Sequence, residues 1–187
     1  MIDMATPGWL RRALTTSGGF VCAAVAIWYS PMLTAASWRT FHPSGQLDYR
    51  GLHITVPWLW TSDFDRIQDE TTVSPQGVYL RRSRRNLGQA GEEAIFVTVI
   101  SPDPGVSADQ QTRNWIEAFR TAHPGREFDA KTPLDLPSGT SCLSGFGTEE
   151  PRVVCTCISL RDGWVANFEG GPADLQVFFR IVAKLKQ

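Results

Sequence analysis

The sequence predicts an α+β protein: an N-terminal transmembrane helix, then a mainly antiparallel sheet of about six strands packed with two helices. Three observations carry this. Ala13–Trp38 contains no charged side chain and lies between Arg11–Arg12 and Arg39, and about 20 mainly apolar residues suffice to cross the hydrocarbon core. Beyond it, short apolar stretches near period two are separated by Gly, Pro, Asn and Asp, as in strands joined by turns. Only two stretches, opening at Ser107 and Pro172, carry a helical apolar stripe.

The N-terminal run is densest at Phe20–Tyr29, diluted earlier by Thr15–Gly19, and met by Pro31, which lacks an N–H and opposes a continuing helix. Trp9 precedes it, and Trp28, Tyr29 and Trp38 lie toward its far end, the placement of interfacial aromatics. Arg11 and Arg12 set the N-terminal end in the cytoplasm by the positive-inside rule. The expected organisation is residues 1–38 as cytoplasmic N-terminus and anchor, 39–45 as linker, and 46–187 as an extracytoplasmic α+β domain. Two other readings stay open. A cleaved signal peptide would end at Thr34–Ala35–Ala36 before Ser37, although Thr34 departs from the Ala-x-Ala preference. A buried helix would need polar positions that Phe20–Tyr29 lacks.

Setting aside Arg11, Arg12 and Asp3 leaves 16 basic against 18 acidic residues. Such a balance offers no basic field for nucleic acid, so none is expected as a partner. The expected partners are the membrane, through the helix over 13–36, and a protein of the envelope. No cofactor or metal is expected. Gly145-x-Gly147 lacks the following helix of a phosphate loop, Cys155-x-Cys157 alone is no zinc motif, and Ser141 sits in no Gly-x-Ser-x-Gly elbow.

Taken in order, Gln46–Val56 reads as a strand, with Leu47, Tyr49, Leu52, Ile54 and Val56 near period two. Pro57 ends it. Trp58–Pro75 is acidic and turn-rich, read as a surface excursion with a short helical turn. Gly77–Ser83 is a second strand and Arg84–Glu93 a loop. Ala94–Ile100 is apolar enough for a central strand buried on both faces. Ser107 with Gln110 three residues on forms a capping box. Trp115, Ile116, Phe119 and Ala122 give the helix that follows one apolar stripe, closed by His123–Pro124–Gly125. Phe128–Gly139, with Pro133 and Pro137, reads as irregular. Strands follow at Ser141–Phe146, Arg152–Leu160 and Trp164–Phe168, turning at Gly147–Pro151 and Arg161–Asp162–Gly163. Pro172 in a first turn opens a last helix, with Leu175, Phe178, Phe179, Ile181, Val182 and Leu185 facing a core.

The strand ending in Val56–Pro57, with Trp58 and Trp60 just beyond, the middle helix, the late meander and the terminal Phe178–Phe179-x-Ile181 helix together resemble the Mog1/PsbP-type α/β/α sandwich. The likeness covers most of Gly45–Gln187. It implies a binding or assembly module with no shared catalytic site, so no functional residue carries over.

Among side-chain groups, Cys142, Cys155 and Cys157 are the sharpest cluster. Cys155 and Cys157 share one face of a strand. If Gly147 pairs with Arg152, Cys142 lies opposite Cys157; a two-residue slip would put it opposite Cys155. Outside the cytoplasm a disulfide is permitted there. Arg81, Arg82, Arg84 and Arg85 are candidate contacts for an anion or a lipid head group, or else a solvated edge. Trp58 and Trp60 are a candidate ligand platform, or else the cap of a core. Asp63/Asp65 and Glu92/Glu93 read as solvated loop acids. The expected function is a membrane-anchored extracytoplasmic binding or assembly module. The alternative is an envelope enzyme, thiol or hydrolytic, using Cys155 or Cys157 with His123.

Overall fold

Apolar residues at 47 and 49 recur at 52, 54 and 56, so their alternation slips by one position at Arg50–Gly51. The chain turns there. The computed structural model describes residues 32–65, 77–83, 92–130, 135–147 and 152–186. In it Gln46–Tyr49 (β1) and Leu52–Thr55 (β2) pair as a separate two-stranded hairpin. Its loop residues Arg50 and Gly51 have φ of 52° and 80°, the left-handed conformation a two-residue hairpin loop needs. The expectation of one continuous strand over Gln46–Val56 is thus corrected. A two-residue loop returns Leu52 opposite Tyr49 and keeps both buried.

A helix over 32–41 (α1) precedes the hairpin. After it come Thr61–Asp65 (β3), Gly77–Ser83 (β4), Glu92–Val99 (β5), the helix Ala108–Ala122 (α2), Arg126–Asp129 (β6), Ser141–Gly147 (β7), Val153–Ser159 (β8), Trp164–Gly170 (β9) and the helix Pro172–Val182 (α3). The main sheet has seven strands, ordered β3-β4-β5-β9-β8-β7-β6, with every neighbouring pair antiparallel. The α+β, mainly antiparallel expectation holds. Its count of about six strands is low, since the described residues hold nine, while both helices expected to pack on the sheet are present as α2 and α3. The extra strands are short edge elements. β3 lies where a helical turn was expected, and β6 lies at the start of the supposedly irregular Phe128–Gly139. Neither has a long alternating apolar signal. β5 is an interior strand, between β4 and β9, but it is not buried on both faces: from Glu93 to Thr98 its residues alternate between buried and half-buried. The strand buried along its whole length is β8.

Strand alternation sends successive side chains to opposite faces, and the two faces differ. On one, Val78, Leu80, Ile95, Val97, Val153, Trp164, Ala166 and Phe168 pack against Phe178, Ile181, Val182 and Leu185 and against the β1–β2 hairpin. The C-terminal end is tied to that hairpin through His53 N–H to the Lys186 carbonyl, 3.1 Å. Cys142 and Cys157 face each other across β7 and β8 and are joined by a disulfide with Cα atoms 4.2 Å apart, the pairing expected from Gly147 opposite Arg152. On the other face α2 rests on Leu143 and Val154 through Phe119, and on Ile158 and Val165 through Trp115. Gly145 makes room for the Phe128 ring there, since a Cβ would stand 2.7 Å from Phe128 Cε1. The result is three layers, with helices on both faces of the sheet.

The helix caps are those the sequence indicates. Ser107 Oγ accepts from Gln110 N–H at 3.3 Å. The Gln110 side chain bonds Asn114 and Arg113 instead of reaching back, so only half of the capping box forms. Pro172 occupies the first turn of α3.

At the N-terminal side, residues 13–31 of the expected anchor lie outside the described residues. Among the described residues no helix is long and apolar enough to cross a membrane. α1 runs to residue 41, into the stretch 39–45 read as a linker, and is held to the domain. Arg39 Nη2 donates to the Val56 carbonyl at 3.0 Å, and Val56 N–H donates to the Gly45 carbonyl at 2.8 Å.

Candidate functional site

A single fifteen-residue helix spans only about 22 Å and cannot roof a seven-stranded sheet. α2 covers β7 and β8 and leaves part of β4, β5 and β9 open. The opening is a groove of about 430 Å³, walled by Tyr79, Ala94 and Phe96 on the sheet and by Trp115, Ala118, Phe119, Ala122 and His123 on the helix side. Asn167 and Glu169 also line it.

Its floor follows from strand register. Tyr79 pairs with Phe96, Phe96 with Asn167, Asn167 with Thr156, and Thr156 with Leu143, so one cross-strand row runs beneath α2. Tyr79 and Phe96 rings meet at 4.7 Å between centroids, tilted by 44°, within the separation at which aromatic pairs attract. Further along, the row turns polar. Trp115 Nε1–H donates to Thr156 Oγ1 at 3.0 Å, and the Thr156 hydroxyl donates to Asn167 Oδ1 at 2.7 Å. The chain of bonds pins the α2 indole to β8 and β9 and leaves the Asn167 amide N–H groups as donors for a guest. At the helix end, His123 Nδ1 lies 2.9 Å from the Phe119 carbonyl. A carbonyl only accepts, so this nitrogen carries the proton and Nε2 of the neutral ring is an acceptor. The groove therefore offers apolar walls with a few polar groups.

The residues singled out from sequence are distributed differently. Trp60 is 2% exposed in the core and Trp58 69% exposed, so the two form no common platform. The physical cause is the loop between them, where Leu59 takes φ of 71° and turns the chain. Arg81 and Arg82 project to opposite faces of β4. Arg81 lies over the Tyr79 ring at 5.1 Å. Arg82 Nη1 reaches Asp174 Oδ1 of α3 at 2.6 Å and Glu93 Oε2 at 3.7 Å. Arg84 and Arg85 lie outside the described residues. Glu93, expected to be solvated, is 2% exposed beside Arg82; it stands in β5, not in a loop.

The thiol constellation does not assemble. Cys157 is taken up by the bridge to Cys142. Cys155 is on the same face as that bridge, buried among residues packed by α3, whereas His123 closes α2 on the other face. Burial pushes the Cys155 thiol up to about 12, against the opposing pull of its hydrogen bond from Ser144 Oγ at 3.3 Å. It stays protonated at neutral pH and is no nucleophile. Among the described residues no group of His, Cys, Asp and Glu is placed to hold a metal ion.

The groove residues Tyr79, Phe96, Trp115 and Asn167 were not singled out as a site from sequence. One local signal was available: Thr156 and Asn167 are polar interruptions in the apolar strands β8 and β9. Neither a protein-family model nor a curated protein matches this sequence.

Proposed function

We propose that the protein is a membrane-anchored extracytoplasmic binding module and that the groove beneath α2 is its binding site. The observation that carries this is the groove itself. Its volume of about 430 Å³ falls within the range of small-molecule pockets, and apolar walls with a few placed polar groups are how such pockets combine affinity with orientation. The guest that fits is a flat apolar or aromatic group with one hydrogen-bonding end. Tyr79, Phe96 and Trp115 would take its faces, and Asn167 and His123 would take the polar end.

The outward placement rests on the charge-free run at Ala13–Trp38 and its arginine flank. The Cys142–Cys157 bridge supports it, because such bonds persist in oxidising compartments. A Mog1/PsbP-type relationship is proposed on the same footing, with the three layers as its support. A thiol or hydrolytic enzyme using Cys155 or Cys157 with His123 is not proposed, since the sheet separates those groups.

The test is a fluorescence titration of the full chain with phenylnaphthylamine, an aromatic probe that brightens in apolar pockets. Ala118 is exposed at the groove mouth, so A118W fills the opening without touching the core. We expect A118W to weaken probe binding by roughly tenfold or more, about 1.4 kcal/mol per factor of ten, with an unchanged melt. Unchanged affinity in a folded A118W would overturn the assignment.

A further inference from the structure

Helix α1 turns its charge inward. Arg39 is the one charged residue of the stretch 32–41, and it is clamped to the domain. Its Nη2 donates to the Val56 carbonyl at 3.0 Å. Its guanidinium carbon lies 5.6 Å from the Trp38 ring centroid and 5.4 Å from that of Trp58. Ala35 is buried on the same side. At about 100° per residue, the opposite side carries Leu33, Ala36, Ser37, Thr40 and Phe41, all uncharged.

An exposed helix face is ordinarily polar or charged. Here Leu33 is 59% and Phe41 80% exposed, with Met32 at 48% and Trp58, stacked on the Arg39 clamp, at 69%. Three of the five exposed large apolar side chains among the described residues lie on α1, a fourth, Trp58, stands beside its Arg39, and the fifth is Phe146. A concentration of that kind marks an interaction surface.

The chain itself says what covers it. α1 begins inside the charge-free run that starts at Ala13, with Pro31 immediately before it. Exposed Trp and Phe beside an apolar span belong at the membrane interface, where an apolar ring and a polar surrounding are both satisfied. Arg81 lines the shallow groove between α1 and β3 with Leu33, Trp38, Phe41 and Asp63, and so puts a cation beside the patch at the level of lipid phosphates.

We propose that the outward face of α1, together with Trp58, lies in the headgroup–acyl boundary of the bilayer, so that the domain is seated on the lipid surface and not suspended on a free tether. This rests on the anchored reading above, and the experiment separates the two.

The full chain is reconstituted in vesicles of phosphatidylethanolamine and phosphatidylglycerol with p-benzoylphenylalanine replacing Phe41, Trp58 or, as control, Phe146. These side chains are exposed, so no core contact is lost. Photolysis followed by mass measurement should give phospholipid adducts at 41 and 58 and none at 146. In the unlabelled chain, brominated acyl chains should quench tryptophan emission less after W58F. A chain that stays with the vesicles but gives no lipid adduct at 41 and 58 overturns this proposal alone, as do adducts to a second copy of the chain. A chain recovered in the soluble fraction overturns the anchor as well.

Discussion

The two faces of one sheet are covered very differently. On the α3 face, cover comes from a helix and from the β1–β2 hairpin, and the core beneath them is closed: Phe168 and Phe178 stack at 5.5 Å, and Trp164, Phe178 and Leu52 have no exposed surface. A disulfide joins the two strands beneath. On the α2 face a lone helix covers β7 and β8, and the remainder of the sheet faces a groove whose floor is partly polar. Both faces obey the same strand alternation. What separates them is the amount of secondary structure available to cover each. Burial is deepest where two elements share the cover, and an opening survives where one element works alone.

Substitutions on the two faces should therefore behave differently, and the largest effect is expected on the closed face. F178A removes a fully buried ring and should destabilise the fold by about 3–5 kcal/mol, read from a denaturant melt, while the fraction that remains folded keeps its affinity for phenylnaphthylamine. A loss of probe binding by the folded fraction would mean that the faces are not independent.

Opening the Cys142–Cys157 bridge is next. The bond closes a loop with a sequence separation of 15, worth about 3 kcal/mol on chain-entropy grounds. The double substitution C142A/C157A should lower the melt by that order under non-reducing conditions, and a reductant should bring the native chain to the same place. A melt insensitive to reductant would show that the bridge contributes nothing.

The smallest effect on stability falls on the open face. T156V removes the hydroxyl between Trp115 and Asn167 and should cost about 1–3 kcal/mol, the range for polar groups that lose a buried partner. Unlike F178A, it should change the probe's affinity, because it frees the indole and the amide that shape the groove. An unaltered affinity would sharpen the comparison by reducing the polar row to a structural role.

Much of the closed face was legible in the sequence. Pro172 and the apolar spacing of Phe178, Ile181 and Val182 are local signals, and local structure follows them, as it does at Ser107, the cap of α2 on the open face. The Cys142–Cys157 register was readable because only four residues separate Gly147 from Arg152 in the sequence, so counting outward from those two suffices. The edge strands were not, since β6 carries a single apolar side chain, Phe128, and β3 offers no run of apolar alternation. Glu93 went unrecognised because its partner Arg82, shared with Asp174 of α3, lies on another strand. The groove was hidden for the same reason on a larger scale. Tyr79, Phe96, Trp115 and Asn167 converge only after β9 inserts beside β5, a pairing between distant segments that no local spacing announces.

The most direct test follows the tryptophan indole N–H signals in nitrogen–proton correlation spectra while phenylnaphthylamine is added to the full chain. Trp115 borders the groove through a hydrogen-bonded Nε1, whereas Trp60 and Trp164 are buried among the residues packed by α3 and the hairpin. If the open face is the binding face, the Trp115 signal shifts along a saturable curve and those of Trp60 and Trp164 stay in place. A saturable shift at Trp60 or Trp164 with Trp115 unmoved would contradict the account.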